Sequence, residues 1–292
     1  MTQDLTRHLD DTLLQAATGL EGGLAANGST CGVLTGGSLG LAQALAGQVE
    51  DAGKAGEAAG LAAVGDFVRH IRQTYGFDLC RQRTGVDFYT PSGQVRYFVG
   101  PDKIALCMNH ISGAIKYLDD ASRKGLSSRD IEKAPVVGLG LCARRVLSEV
   151  RRRTGTGSAR LERLSYVYDG GLGLTGGVCG AAVGAILAVN LAIGLNIRNV
   201  PYLFIFKPFL AGHFNILKKN PPKRLEPFYA GKTITHALKK QAGSLECRAI
   251  TGQEFEDPKQ FADFMAGGPC DGYISLCVEN ACRMLEQTQK QA

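Results

Sequence analysis

Cysteine is the side chain in this sequence whose placement could do chemistry. There are nine, and the few histidines and the carboxylates show no comparable pattern. Cys31 and Cys179 each close a glycine-rich stretch and open an apolar run, as Cys-Gly-x-x-x-Gly. That pattern puts a thiol at a helix N-terminus, where partial positive charge and unpaired N–H groups lower its pKa and can hydrogen-bond the sulfur. Gly32, Gly36, Gly180 and Gly184 strip one helix face of side chains. Another helix or an inorganic cluster can then approach closely, which makes these four glycines the candidates for cofactor contact. The plainer alternative is a small-residue packing face beside an inert buried cysteine.

The elements that must position these thiols occur twice. Residues 21–36 read EGGLAANGSTCGVLTG and residues 169–184 read DGGLGLTGGVCGAAVG, with seven of sixteen positions identical and an acidic residue leading both. Ordinary residue frequencies give about one identity by chance. Downstream, Cys80 in YGFDLCRQRTG pairs with Cys247 in AGSLECRAITG, and Cys107 in GPDKIALC pairs with Cys277 in GPCDGYISLC. Three landmarks in one order indicate a tandem duplication. The expected organisation is a first repeat over 1–120, a polar connection over 121–133 and a second repeat over 134–292. The second carries an insertion near 198–228, rich in Phe and Pro, for which packing is the expected role.

Helical periodicity runs through 66–74, 136–153 and 273–289 and follows Cys31 and Cys179. Pro101 and Pro269 suit helix starts. The strand signals RYFV and YLFIF are short. The expected fold is mainly α, two tandem helical-bundle repeats with Gly-rich loops. Residues 170–197 carry no charge but hold eight glycines, so a buried helix is expected there rather than a stable membrane span. The start, MTQDLTRHLDDT, lacks a basic segment followed by an apolar run, so no secretory signal is expected. A cytoplasmic location follows, where nine cysteines serve as metal ligands or redox thiols more often than as disulfides. The net charge is +6, concentrated at Arg144, Arg145, Arg151, Arg152 and Arg153. Such a run suits an acidic partner, with a solvated helix face as the plain alternative. No aromatic residues interleave it, so nucleic acid is not expected. No CxxCH, Walker loop or strand–GxGxxG–helix unit is present.

The second half resembles the redox-active protein family named for its C-GCAxxG-C-C pattern, with a CGAxxG motif and four cysteines. Residues 179–184, CGAAVG, fit that motif at every position. Cys142 in GLCARRVLSEV matches the family's first cysteine and Cys247 its third. The fourth is Cys277 by internal alignment, with Cys270, nearer a helix start, as the rival. The first half departs from the pattern. Val33 replaces Ala, and Cys31, Cys80 and Cys107 match the second, third and fourth cysteines. The first is missing, since counting back thirty-seven residues from Cys31 runs off the sequence. His110, three residues beyond Cys107, is a candidate to complete the set, although a surface position is expected for it.

The resemblance implies a redox role. Four widely spaced cysteines without a CxxC knuckle argue against structural zinc and suit an iron–sulfur cluster gripped by several helices. The leading expectation is therefore an iron–sulfur electron-transfer protein ligated by Cys142, Cys179, Cys247 and Cys277 or Cys270. Cys31, Cys80 and Cys107 form an incomplete second set, whose open iron could support small-ligand chemistry of an oxidoreductase kind. A redox partner protein is implied, and a homodimer is a further option. The first alternative is a metal-free thiol–disulfide oxidoreductase or redox sensor using Cys31 and Cys179. The second is a helical interaction module with structural cysteines.

Overall fold

In the computed structural model, side-chain caps start five of the described helices and left-handed glycines end five. The structure describes residues 10–198, 200–218 and 225–291. The sequence start at 1–9, and parts of the expected insertion at 199 and 219–224, lie outside the described residues. Fourteen α-helices follow one another among the described residues: α1 (Asp11–Ala16), α2 (Gly32–Tyr75), α3 (Cys80–Thr84), α4 (Pro91–Val99), α5 (Pro101–Lys124), α6 (Ser128–Lys133), α7 (Ala143–Thr154), α8 (Ala159–Leu164), α9 (Gly180–Ile193), α10 (Tyr202–Asn215), α11 (Pro227–Ala242), α12 (Cys247–Thr251), α13 (Pro258–Ala266) and α14 (Asp271–Gln291). The polar connection is itself largely helical. It contains the end of α5 and the whole of α6, which opens on a Ser127–Asp130 capping box.

The two halves correspond element by element. Single 3₁₀ turns, Ala17–Leu20 and Ser165–Tyr168, precede the glycine-rich loops. Thr90 caps α4 and Asp257 caps α13, each followed by Pro at the first helical position. Gly76 and Gly243 end the helices before the third-cysteine landmarks in the left-handed conformation, as do Gly85 and Gly252 after them. Isolated antiparallel bridges join Thr30 to Leu79 and Val178 to Glu246, at matching positions. Helix α2 is kinked at Gly53 (φ 58°, ψ −132°). Its two arms match α9 and α11, and the second half places α10 between them as the inserted element.

Two readings are corrected. RYFV and YLFIF lie in α4 and α10. Thr90 and Pro91 start the first as a helix, and Pro201 caps the second. The periodic run from Val136 becomes helical only at Ala143, because the Asp169 carboxylate takes the N–H groups of Gly140, Leu141 and Cys142 and holds that backbone outside the helix.

One hydrophobic core runs through both repeats, from Leu13 to Leu285. A smaller cluster of Ala26, Cys80, Val86, Phe88, Ile216 and Phe228 packs the insertion onto the first repeat. His213 of α10 is fully buried there, with Nδ1 3.1 Å from Gln94 Oε1 and Nε2 2.8 Å from Glu21 Oε1. The repeats are also joined by Val178 N donating to Thr30 Oγ1 (2.8 Å) and by the pairs Arg81–Glu246 (3.1 Å) and Arg248–Asp78 (3.4 Å). Helix α9 is buried from Gly180 to Asn190. Among the described residues no helix is long and apolar enough to cross a membrane. The arginine run on and beside α7 meets acidic neighbours: Arg144 pairs with Glu57, Arg145 with Asp271, Arg151 with Glu162, and Arg152 and Arg153 with Glu149.

Two matching glycines now differ in what they face. A Cβ on Gly184 would stand 2.8 Å from the Ala143 carbonyl oxygen of α7, whereas one on Gly36 meets nothing within 4 Å. Gly184→Ala should therefore destabilise by about 1–3 kcal/mol through overpacking against backbone. Gly36→Ala should be neutral or stabilise by up to about 1 kcal/mol through helix propensity. Chemical denaturation followed by far-UV circular dichroism measures both. Equal losses would mean that α7 does not press on α9.

Candidate functional site

The cysteines hang from an unusual backbone turn. Gly22, Gly23, Leu24, Ala25 and Ala26 all have φ between 49° and 74°, and Gly170, Gly171, Leu172, Gly173 and Leu174 between 58° and 77°. A non-glycine residue in this region costs roughly 1–2 kcal/mol. Burial of Leu24 and Leu172 and internal hydrogen bonds offset that cost. Ser29 N donates to Gly23 O (3.0 Å) and Gly177 N to Gly171 O (2.8 Å). The loop then grips two cysteines by their backbones. Cys80 N donates to Ser29 O and Cys31 N to Asp78 O, as Cys247 N does to Gly177 O and Cys179 N to Leu245 O. Gly171 must be glycine on two grounds, its φ of 77° and a would-be Cβ 2.6 Å from that of Cys247.

In the second repeat Cys142, Cys179, Cys247 and Cys270 line one small cavity, closed by Ile250, Phe261 and Tyr273 among others. Cys142 and Cys179 are the N-caps of α7 and α9, Cys247 begins α12 and Cys270 immediately precedes α14. The Ala181 and Ala182 N–H groups point at the Cys179 sulfur. Four helix starts thus border the same space, and at Cys179 the helix N–H groups reach the sulfur, a setting that favours negative charge there. Burial nevertheless dominates the free thiols. It pushes Cys142 well up, raises Cys179, and lifts Cys270 to about 11. The low-pKa expectation for Cys31 and Cys179 is therefore corrected: desolvation outweighs the helix N-terminus, and burial raises Cys31 to about 11 as well. All nine cysteines are free thiols.

Cys142 is held by a residue whose role the sequence only hinted at. The fully buried Asp169 accepts from Gly140 N (2.6 Å), Leu141 N (3.0 Å) and Cys142 N (3.1 Å). Burial raises its pKa to about 6, and the three N–H groups pull the other way. The acidic residue shared by both repeats was the available signal.

The structure brings Cys270, not Cys277, to the cavity. Cys277 lies buried inside α14, within electrostatic reach of Cys179. Of the four glycines, Gly180 lines the cavity. Gly184 clears the way for α7, and Gly32 lies under the Leu20 carbonyl, 2.9 Å from a would-be Cβ.

The first repeat is built differently. Cys31 caps α2 and Cys80 opens α3, as their counterparts do. The counterpart of Asp169 is Glu21, which holds His213 rather than a cysteine loop. Cys107 sits in α5, where the Tyr97 hydroxyl donates to its sulfur at 3.8 Å. The expected surface position of His110 is overturned. The residue is fully buried, with Nδ1 3.7 Å from Cys31 Sγ and Nε2 without a hydrogen-bond partner. The helical period of α5 turns His110 inward with Ala114 and Leu118, a signal the sequence carried. Burial holds its pKa down to about 4, so the imidazole is neutral at pH 7. Among the described residues no three His, Cys, Asp or Glu side chains are close enough to grip a single metal ion.

Fold and site together define a helical protein built twice around a Cys-Gly-x-x-x-Gly turn. The family model described as "Putative redox-active protein (C_GCAxxG_C_C)" matches residues 1–121 and again 141–287. The chain belongs to that redox-active family, as a tandem duplicate. No curated protein and no solved structure matches it.

Asp169→Asn should cost about 1–3 kcal/mol at neutral pH, because an amide cannot accept all three N–H groups. The folded pKa of about 6 lies above the unfolded value of about 3.9. Asp169 thus adds a proton-linked part to stability that is fully present below about pH 4 and lost as pH rises through about 6, on top of the hydrogen-bond part that remains at neutral pH. The penalty of the variant should shrink over that interval, read from denaturation curves of both proteins. A flat difference would show that Asp169 does not titrate there.

Proposed function

We propose that the chain is an electron-transfer protein that carries an iron–sulfur cluster on Cys142, Cys179, Cys247 and Cys270. The observation that supports this reading most is the convergence of these four thiols, each from the start of a different helix, on one cavity. The donor set fits such a group in kind. Four sulfurs suit iron–sulfur ligation, the helix starts suit its negative charge, and a polynuclear cluster spreads its thiolates further apart than a single ion does. The cluster would supply one-electron chemistry, taking an electron from a reduced partner protein and passing it to an oxidised one.

The chain's own residues do the rest. The left-handed turn fixes Cys179 and Cys247 relative to one another through their backbone bonds. Asp169 holds the loop that presents Cys142. The Ala181 and Ala182 N–H groups aimed at Cys179 would make reduction easier by stabilising negative sulfur, while Phe261 and Tyr273 exclude water. The thiol–disulfide reading has less support, because buried thiols with raised pKa values are poor nucleophiles at neutral pH.

Anaerobically purified protein, reconstituted with iron and sulfide where needed, should be brown and contain iron and acid-labile sulfide. Cys179→Ser, Cys247→Ser and Cys270→Ser should each remove most of the second-repeat absorbance, and Cys277→Ser should keep it. Colourless protein with nine titratable thiols after reconstitution would discard the cluster. Loss on Cys277→Ser with retention on Cys270→Ser would move the fourth ligand.

A further inference from the structure

The first repeat keeps two of the second repeat's cavity thiols and replaces the others. Cys31 and Cys80 hang from the same turn, on the same backbone bonds, as Cys179 and Cys247. Among the described residues the first repeat has Gly100 at the position of Cys270. The carboxylate that would hold the first cysteine's loop holds His213 instead, and the helix start that would follow Cys270 reads Gly100-Pro101. In their place α5 brings in Cys107 and, one turn further on, His110.

His110 packs against Tyr75, with ring centroids 5.1 Å apart, yet one of its ring nitrogens is left unpaired. It is 0% exposed, Nδ1 lies 3.7 Å from Cys31 Sγ, and Nε2 has no partner. Leaving such a group unpaired in the interior costs about 1–3 kcal/mol. The matching position of α14 is Asn280, whose amide donates to Leu276 O at 2.8 Å and is satisfied. The histidine thus occurs in the repeat that lacks the cavity's other two thiols. Cys31 and Cys80 hang from one turn, and Cys107 stands on α5 three residues before the histidine that meets Cys31.

We propose that the first repeat holds a second, separate iron–sulfur site whose ligands are Cys31, Cys80, Cys107 and the imidazole of His110. The identity of the group rests on the reading of the second repeat given above; the ligand set rests on the first repeat alone. One neutral nitrogen in place of a thiolate leaves the first site less negative by one charge. Its reduction potential therefore lies above that of the all-cysteine site, in the direction histidine ligation moves such centres.

The full chain, reconstituted anaerobically with ferrous iron and sulfide, tests this. A Cys179→Ser/Cys247→Ser chain should keep about half of the iron, since one site of two remains. With ¹⁵N-labelled histidine, its reduced paramagnetic spectrum should show nitrogen hyperfine coupling. Adding His110→Ala should abolish that coupling. Adding His110→Cys should keep the iron, lose the coupling and lower the potential. The reciprocal Cys31→Ser/Cys80→Ser chain should lose about half of the iron and all of the coupling, which keeps the test decisive if the first variant does not fold. Iron retained in the first variant without nitrogen coupling would overturn the His110 assignment. Iron confined to the second repeat would overturn the first site while leaving the proposed function standing. Iron in neither repeat would sink both.

Discussion

Five consecutive left-handed residues, formed twice, constrain everything around them. A right-handed chain enters such a turn only where glycine or complete burial tolerates it. Here both operate, with Gly22 and Gly23 or Gly170 and Gly171 leading and Leu24 or Leu172 fully buried behind them. The turn is closed by bonds to Ser29 or Gly177, whose carbonyl in each repeat accepts the N–H of a cysteine from a distant landmark. A thiol at residue 31 and another at residue 80 are thereby fixed by main chain alone. The side chains around them can change without moving them.

That separation between a fixed pair and a variable pair explains how one fold carries two unlike sites. The second repeat adds Cys142 and Cys270 from the starts of α7 and α14. The first adds Cys107 and His110 from the body of α5. The same logic accounts for the carboxylates that follow the 3₁₀ turns. Asp169 is short and fully buried, and it binds three main-chain N–H groups. Glu21 is longer and half-exposed, and it reaches His213 of the inserted helix.

Much of this was legible in the sequence because it is local or repeated. The duplication, the helical fold, the glycine loops and the placement of Cys31 and Cys179 at helix starts follow from identities and spacing. Which of Cys270 and Cys277 lines the cavity was not legible, because internal alignment favours the residue matched by Cys107 while the lining residue is the one at the helix start. Periodicity could not show that Val136–Cys142 stays non-helical, since the cause is a carboxylate 27 residues away from Cys142. The thiol pKa values ran against the helix-dipole argument because desolvation, which depends on tertiary burial, is the larger effect. A single histidine carries little signal until the inward face of its helix is counted, which is why the burial of His110 is not evident from its residue type.

The contacts that cross between the repeats have a further meaning. Arg81 reaches Glu246 and Arg248 reaches Asp78, and these two arginines occupy matching positions in their repeats. The arginines correspond but their acceptors do not, since Asp78 aligns with Leu245 and Glu246 with Leu79, so the contact only approximates the isologous interface of identical subunits. The tandem chain has the form of a homodimer whose protomers have been joined end to end. In a true homodimer every substitution is written into both subunits at once. Joining them removes that restriction, so one half could carry a histidine where the other has Asn280, and the other could gain an extra helix.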